Sequence, residues 1–99
     1  MTLQVIYHAS FNTDADAARA WYEQQRRDLG AEFELELESC MQRVMERPLA
    51  FQLVRGAVRQ ALLKRFPYVV VFEMTDQSIL VGGLFHCARN RTMWDTRFV

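Results

Sequence analysis

Apolar positions recur with a period of two at the start of the chain and with a helical period soon after. Leu3, Val5 and Tyr7 alternate with Gln4, Ile6 and His8 in β-favouring residues, which predicts an opening strand. A helix is expected from Asn12 or Thr13. Thr13 followed three residues later by Asp16 resembles a capping box with a shorter acid, and Asp14 and Asp16 suit the positive end of the helix dipole. Ala15, Ala18, Trp21 and Tyr22 share one side at helical spacing, with Trp21 expected against the sheet, and Leu29-Gly30 reads as the stop. A second stripe follows: Phe33, Leu37, Cys40, Met41 and Val44, with Glu32, Glu34, Glu36 and Glu38 around it. It predicts a second helix and so a helical hairpin. The end is expected at Arg47-Pro48, because the residue before proline is pushed out of the α region and an arginine suits a helix C-terminus.

Residues 48–57 read as a loop. Beyond them the chain turns to Val, Leu, Phe and Ile in three runs, Val58 to Lys64, Tyr68 to Met74 and Ser78 to Phe85, separated by Phe66-Pro67 and by Thr75-Asp76-Gln77. Three such runs with short turns form an antiparallel meander. The expected class is α+β, in the order β-α-α-β-β-β, with the hairpin packed on one sheet face. At 99 residues a second core would not fit, so residues 1–99 are read as one domain. With 51% apolar residues, among them seven Phe and two Trp, there is material for a core, and disorder is not expected.

Composition adds three constraints. No basic segment followed by a long apolar run opens the chain, so a membrane span is not expected and the cytoplasm is the expected compartment. Cys40 and Cys87 lack any CxxC or Cys/His spacing and are read as two buried small hydrophobes, with neither a metal nor a cofactor expected. The net charge is zero, but residues 1–47 hold nine acids against five bases and residues 48–99 three acids against seven bases. That asymmetry fits a basic working surface in the second half, and equally a set of acidic helices facing solvent.

Candidate chemistry concentrates in the second half. Arg55, Arg59, Lys64 and Arg65 fall within eleven acid-free residues, and Arg89, Arg91 and Arg97 gather near the C-terminus. Guanidinium forks of this kind suit phosphate or carboxylate, while the bland reading is a set of solvated charges that guard sheet edges. His86 and Arg89 lie three residues apart at the exit of the last strand, a pair able to move a proton and stabilise charge on a phosphodiester. A strand-end histidine also serves simply to satisfy a neighbouring carbonyl or carboxylate. Trp94 and Phe98 are candidates for docking onto the body or a partner. Phosphate loops, GxSxG, HExxH and paired catalytic carboxylates are missing, which removes nucleotide hydrolases, serine hydrolases and zinc peptidases.

The run Arg59-Gln-Ala-Leu-Leu-Lys-Arg-Phe-Pro-Tyr68 and the segment His86-Cys-Ala-Arg89, with Trp94 and Arg97 beyond it, resemble the ParE/RelE superfamily of type II toxins. Trp21-Tyr22, Leu29-Gly30 and Phe33 are similar to the family's helical hairpin, so the likeness spans nearly the whole chain. The resemblance implies a toxin neutralised by a cognate antitoxin, alone a homodimer or with its antitoxin a hetero-oligomer. Of the two targets it implies, DNA gyrase is poisoned without catalysis, whereas mRNA is cleaved on the ribosome. The site residues it implies are Arg59, Lys64, Arg65 and Arg97 for target or phosphate binding, Trp94 and Phe98 for an interface, and His86 with Arg89 as catalytic residues only in the nuclease case. Ribosome-acting members are strongly basic and carry a catalytic tyrosine or histidine in the tail. This chain has a pI near 6.7 and ends Arg97-Phe98-Val99, which favours gyrase; an inactive or retargeted relative is the third reading.

Overall fold

The computed structural model describes residues 3–88 and 97–98. Its elements run β1 (Gln4–Tyr7), α1 (Phe11–Gln25), α2 (Leu29–Glu46), a 3-10 turn (Pro48–Ala50), β2 (Gln52–Arg55), β3 (Val58–Leu62), β4 (Tyr68–Met74) and β5 (Ser78–His86). The α+β class and the hairpin on one sheet face are as expected. The expected loop at 48–57 contains a further strand, β2, so four antiparallel strands replace the meander of three and the sheet has five. β2 is four residues long, mostly exposed and irregular in register against β3, an edge strand with too little apolar alternation to be read from sequence.

The strand order is β1-β5-β4-β3-β2, with β1 parallel to β5 and every other pair antiparallel. Tyr68 to Phe72 are all buried, as expected of a central strand covered on both faces. One face carries Ala61, Tyr68, Val70, Phe72, Ile79, Val81 and Leu84 against Phe11, Ala18 and Tyr22 of α1 and Phe33, Leu37, Cys40, Met41 and Val44 of α2. On the opposite face Val69, Val71 and Phe85 form a smaller cluster with Val54, Val58 and Phe98.

Three local readings need correction. First, α1 begins at Phe11, not at Asn12 or Thr13, and no side chain caps it. Phe11 is buried and stacks on Tyr7 with ring centroids 4.8 Å apart, so burying that ring sets the helix start, overriding the capping signal. Second, Leu29-Gly30 opens α2 and does not close α1. The break falls at Arg26 to Asp28, where Asp28 takes a left-handed φ of 68° and the Glu23 carboxylate accepts the N–H groups of Asp28 and Gly30, each at 3.0 Å. Gly30 is required by packing: a Cβ there would stand 2.7 Å from the Arg19 carbonyl oxygen. Third, Trp21 is 55% exposed and its neighbour Tyr22 is the aromatic that enters the core, against Phe33, Phe66 and Tyr68. The second helix behaves as its stripe predicts, with Phe33, Leu37, Cys40, Met41 and Val44 buried and its end at Glu46 before Arg47-Pro48. Cys40 is buried as expected, but Cys87 is exposed beyond the end of β5. Among the described residues no helix is long and apolar enough to cross a membrane.

Candidate functional site

β1 is shorter than the strand it pairs with. It follows β5 only from Ser78 to Val81, and after His8 N–H donates to the Val81 carbonyl at 2.8 Å the chain turns away into α1. β5 continues to His86, so among the described residues no strand lies along Gly82–His86 on that side. Asp14 and Arg97 take up the first part of the gap. Leu84 N–H donates to Asp14 Oδ2 at 3.4 Å, and Arg97 Nη1 donates to the Gly82 carbonyl at 2.9 Å and to Asp14 Oδ2 at 2.8 Å. A carboxylate accepts what a strand carbonyl would accept, and a guanidinium donates what a strand N–H would donate. The pair is largely enclosed, with side chains 14% and 17% exposed, and the guanidinium also lies 4.9 Å from the centroid of the Phe85 ring. Gly83 makes room for it, since a Cβ there would come within 2.5 Å of Arg97 Nη1.

Beyond this pair a groove of about 590 Å³ runs between α1 and the strand ends. Ala17, Trp21 and Tyr22 form its helical wall, Pro67 and Tyr68 its far end, and Leu84, Phe85 and His86 the strand side. That volume lies within the range of about 300–1,000 Å³ usual for ligand pockets. The Trp21 ring stands edge-on to Tyr22 at 5.0 Å, presenting an exposed aromatic surface at the rim. Burial, followed by the nearby Tyr68 and Cys87, raises the Tyr22 hydroxyl above its ordinary range, so it stays a neutral phenol. The His86 ring packs edge-on to Tyr68 at 5.2 Å, and its Nδ1 accepts the Ala88 N–H at 3.1 Å. With Nδ1 engaged by the chain's own backbone, Nε2 is the ring nitrogen left to meet another partner.

The expected site residues are only partly brought together. His86 and Arg97 line the same groove. Arg59 lies elsewhere: it sits on β3 and its Nη1 donates to the carbonyls of Phe51 at 2.7 Å and Leu49 at 3.5 Å, tying the 3-10 turn to the sheet. Arg65 follows β3 and bonds Glu32 Oε1 at 2.7 Å, while Arg26 holds the other oxygen at 2.9 Å; hydrogen bonds from Arg65 and then Arg26 keep Glu32 below the usual carboxylate range. Lys64 is exposed in the same connection. Phe98 covers Gly82, the extra residue of a β-bulge between the Val71↔Gly83 and Phe72↔Val81 pairs. Arg89 and Trp94 lie outside the described residues. Asp14, Ala17 and Tyr68 belong to the site and were not singled out from sequence for it; Asp14 had been given to the helix dipole, and nothing local signals that its carboxylate meets β5. Among the described residues no cluster of three or more His, Cys, Asp and Glu is placed to hold a metal ion. The arrangement suits binding of an apolar, uncharged group beside a hydrogen-bonding strand edge. No family model matches the chain, and no curated protein matches it.

Proposed function

We propose that the chain is the toxin of a type II toxin–antitoxin pair, neutralised by a cognate antitoxin, and that it poisons DNA gyrase by binding it, without catalysing a reaction. The observation that carries the non-catalytic reading is the state of the expected catalytic and phosphate-binding groups. Arg97 is held by Asp14, Arg65 by Glu32 and Arg59 by backbone carbonyls, while His86 Nδ1 is engaged by the Ala88 N–H. A phosphodiester therefore finds no converging cationic cluster among these three arginines, whereas the aromatic groove suits protein contact.

The second reading, ribosome-dependent mRNA cleavage, draws on the fact that His86 and Arg97 share one groove. Inducible expression separates the two. Gyrase poisoning predicts arrested cells with a DNA-damage response, trapped DNA–gyrase cleavage complexes and intact mRNA. Codon-phased mRNA cuts that disappear in His86→Ala, with normal supercoiling, would overturn it.

A further inference from the structure

We propose that Arg43 anchors an anion site at the C-terminal end of α2, and that its ligand is a carboxylate held side-on by Nε–H and Nη2–H. The site is separate from the groove beside β5 and independent of the preceding reading.

An unpaired guanidinium edge supplies the first argument. Nε and Nη2 of Arg43 are both shut off from solvent, and among the described residues neither has a hydrogen-bond partner. No described carboxylate forms an ion pair with Arg43 either. Nearly every buried polar group in a folded protein is hydrogen-bonded, and a buried charge without a counter-ion is strongly destabilising. Arg43 lies in the last turn of α2, where the helix dipole supplies about half a negative charge, so only part of its own is offset. The two unpaired atoms form one edge of the guanidinium. Their N–H bonds run parallel, which is the geometry that meets both oxygens of a carboxylate.

The second argument is where that edge lies. Cys40 Sγ stands 3.8 Å from the Ala61 carbonyl, which fixes α2 over β3. Arg43 is one turn further on, about 4.5 Å along the helix, and close enough to Cys40 that its charge opposes the larger, raising effect of burial on the thiol. Arg59 shares the helix-facing side of β3 with Ala61, about 6.6 Å back along the strand. Both steps lead to one corner, because α2 runs into the 3-10 turn and Arg59 donates to the Leu49 and Phe51 carbonyls there. Those acceptors are neutral, so Arg59 adds a second positive charge to the corner. Arg43 is only partly buried as a residue, and the neighbouring turn is exposed at Leu49 and Ala50. An anion therefore reaches the edge by displacing that turn, leaving the sheet in place. A carboxylate fits better than phosphate on two counts: it is flat, and as a monoanion it cancels the Arg43 charge without bringing a second one to be desolvated.

The Nε–Hε resonance of Arg43, observed by nitrogen–proton correlation spectroscopy of the full chain and assigned by its loss in Arg43→Lys, tests this directly. Acetate is the probe for a free carboxylate, and N-acetyl-glutamate amide models a partner's acidic side chain. Titrated at constant ionic strength against chloride, the tighter binder names the source. The expected result is a saturable downfield shift of Hε with a Kd on the order of millimolar, the affinity a ligand of so few atoms allows. Arg43→Lys keeps the charge and loses the fork, so it should bind about tenfold more weakly, read from neighbouring amide shifts. A tenfold excess of carboxylate over Kd multiplies the folded-to-unfolded ratio about elevenfold. That should raise the wild-type Tm by roughly 5–10 °C more than that of Arg43→Met. A shift that does not saturate or that chloride reproduces, or a carboxylate effect on Tm that Arg43→Met shares, overturns the proposal. Equal affinity in Arg43→Lys, or tighter binding of inorganic phosphate than of either carboxylate, does the same.

Discussion

Substituting Asp14 by Ala removes the carboxylate that occupies the strand gap beside β5, and the structure sets the size of the effect. Taking one partner from a fully buried ion pair costs about 3–5 kcal/mol, since the remaining charge is stranded. Here the pair is 14% and 17% exposed, and Arg97 would keep the Gly82 carbonyl at 2.9 Å and the face of Phe85, so the expected cost is about 2–3 kcal/mol. For a domain of this size that is a fall in Tm of roughly 10–20 °C. Part of any loss belongs to the helix dipole, worth about 0.3–1 kcal/mol, because Asp14 lies in the first turn of α1. A double-mutant cycle with Arg97→Ala cancels that part and isolates the contact, with an expected coupling of about 1–3 kcal/mol. Urea unfolding of the four proteins at low and high salt is the assay. The exposed Glu32–Arg65 pair, 34% and 58% exposed, serves as comparison and should give a smaller coupling that salt screens. A coupling below about 0.5 kcal/mol for Asp14 and Arg97, or one erased by salt as completely as that of the surface pair, would refute the idea that they close the strand edge.

Phe33 is fully buried amid Tyr22, Phe66 and Tyr68, and Phe33→Ala should cost about 3–5 kcal/mol by denaturant unfolding. A thiol titration of the native protein should show one fast cysteine, Cys87, with Cys40 reacting only on unfolding, since burial pushes the Cys40 thiol up to about 11. Backbone hydrogen bonds from Asp28 and Gly30 lower Glu23, and side-chain bonds from Arg65 and Arg26 lower Glu32. A carboxylate lowered in the folded state contributes stability above its unfolded value and loses it as pH falls through the folded one. The thermal midpoint should therefore fall below about pH 4.3, and fall less in Glu23→Gln. Gly30→Ala places a Cβ 2.7 Å from the Arg19 carbonyl and should destabilise by about 1–2 kcal/mol despite the better helix propensity of alanine; an increase in Tm would disprove the tight helix crossing.

Periodic patterns carried most of the fold. The α2 stripe from Phe33 to Val44 was legible because one helical period persists through it and the burial it implies is the burial found, and β4 and β5 were legible as continuous apolar runs. The readings that failed concern choices made by tertiary contacts. Trp21 and Tyr22 are adjacent, and both lie near the apolar side of α1, so sequence does not say which ring turns inward; the aromatic cluster of Phe33, Phe66 and Tyr68 selects Tyr22. Gly30 looked like a stop because a glycine after a helical stripe commonly is one, whereas its role is to let α2 approach the Arg19 carbonyl. Of the site, His86 and Arg97 were legible as chemically capable residues. Their environment was not: Asp14 lies 83 positions from Arg97 along the chain, and among the described residues the two meet beside β5 beyond the point where β1 stops.

The measurement that tests the central claim most directly is a supercoiling assay with purified gyrase, run beside a primer-extension map of cellular mRNA from cells expressing the chain. The account predicts growth arrest, loss of supercoiling with trapped DNA breaks, and uncut mRNA. Codon-phased mRNA cleavage with normal supercoiling, abolished by His86→Ala, would contradict it.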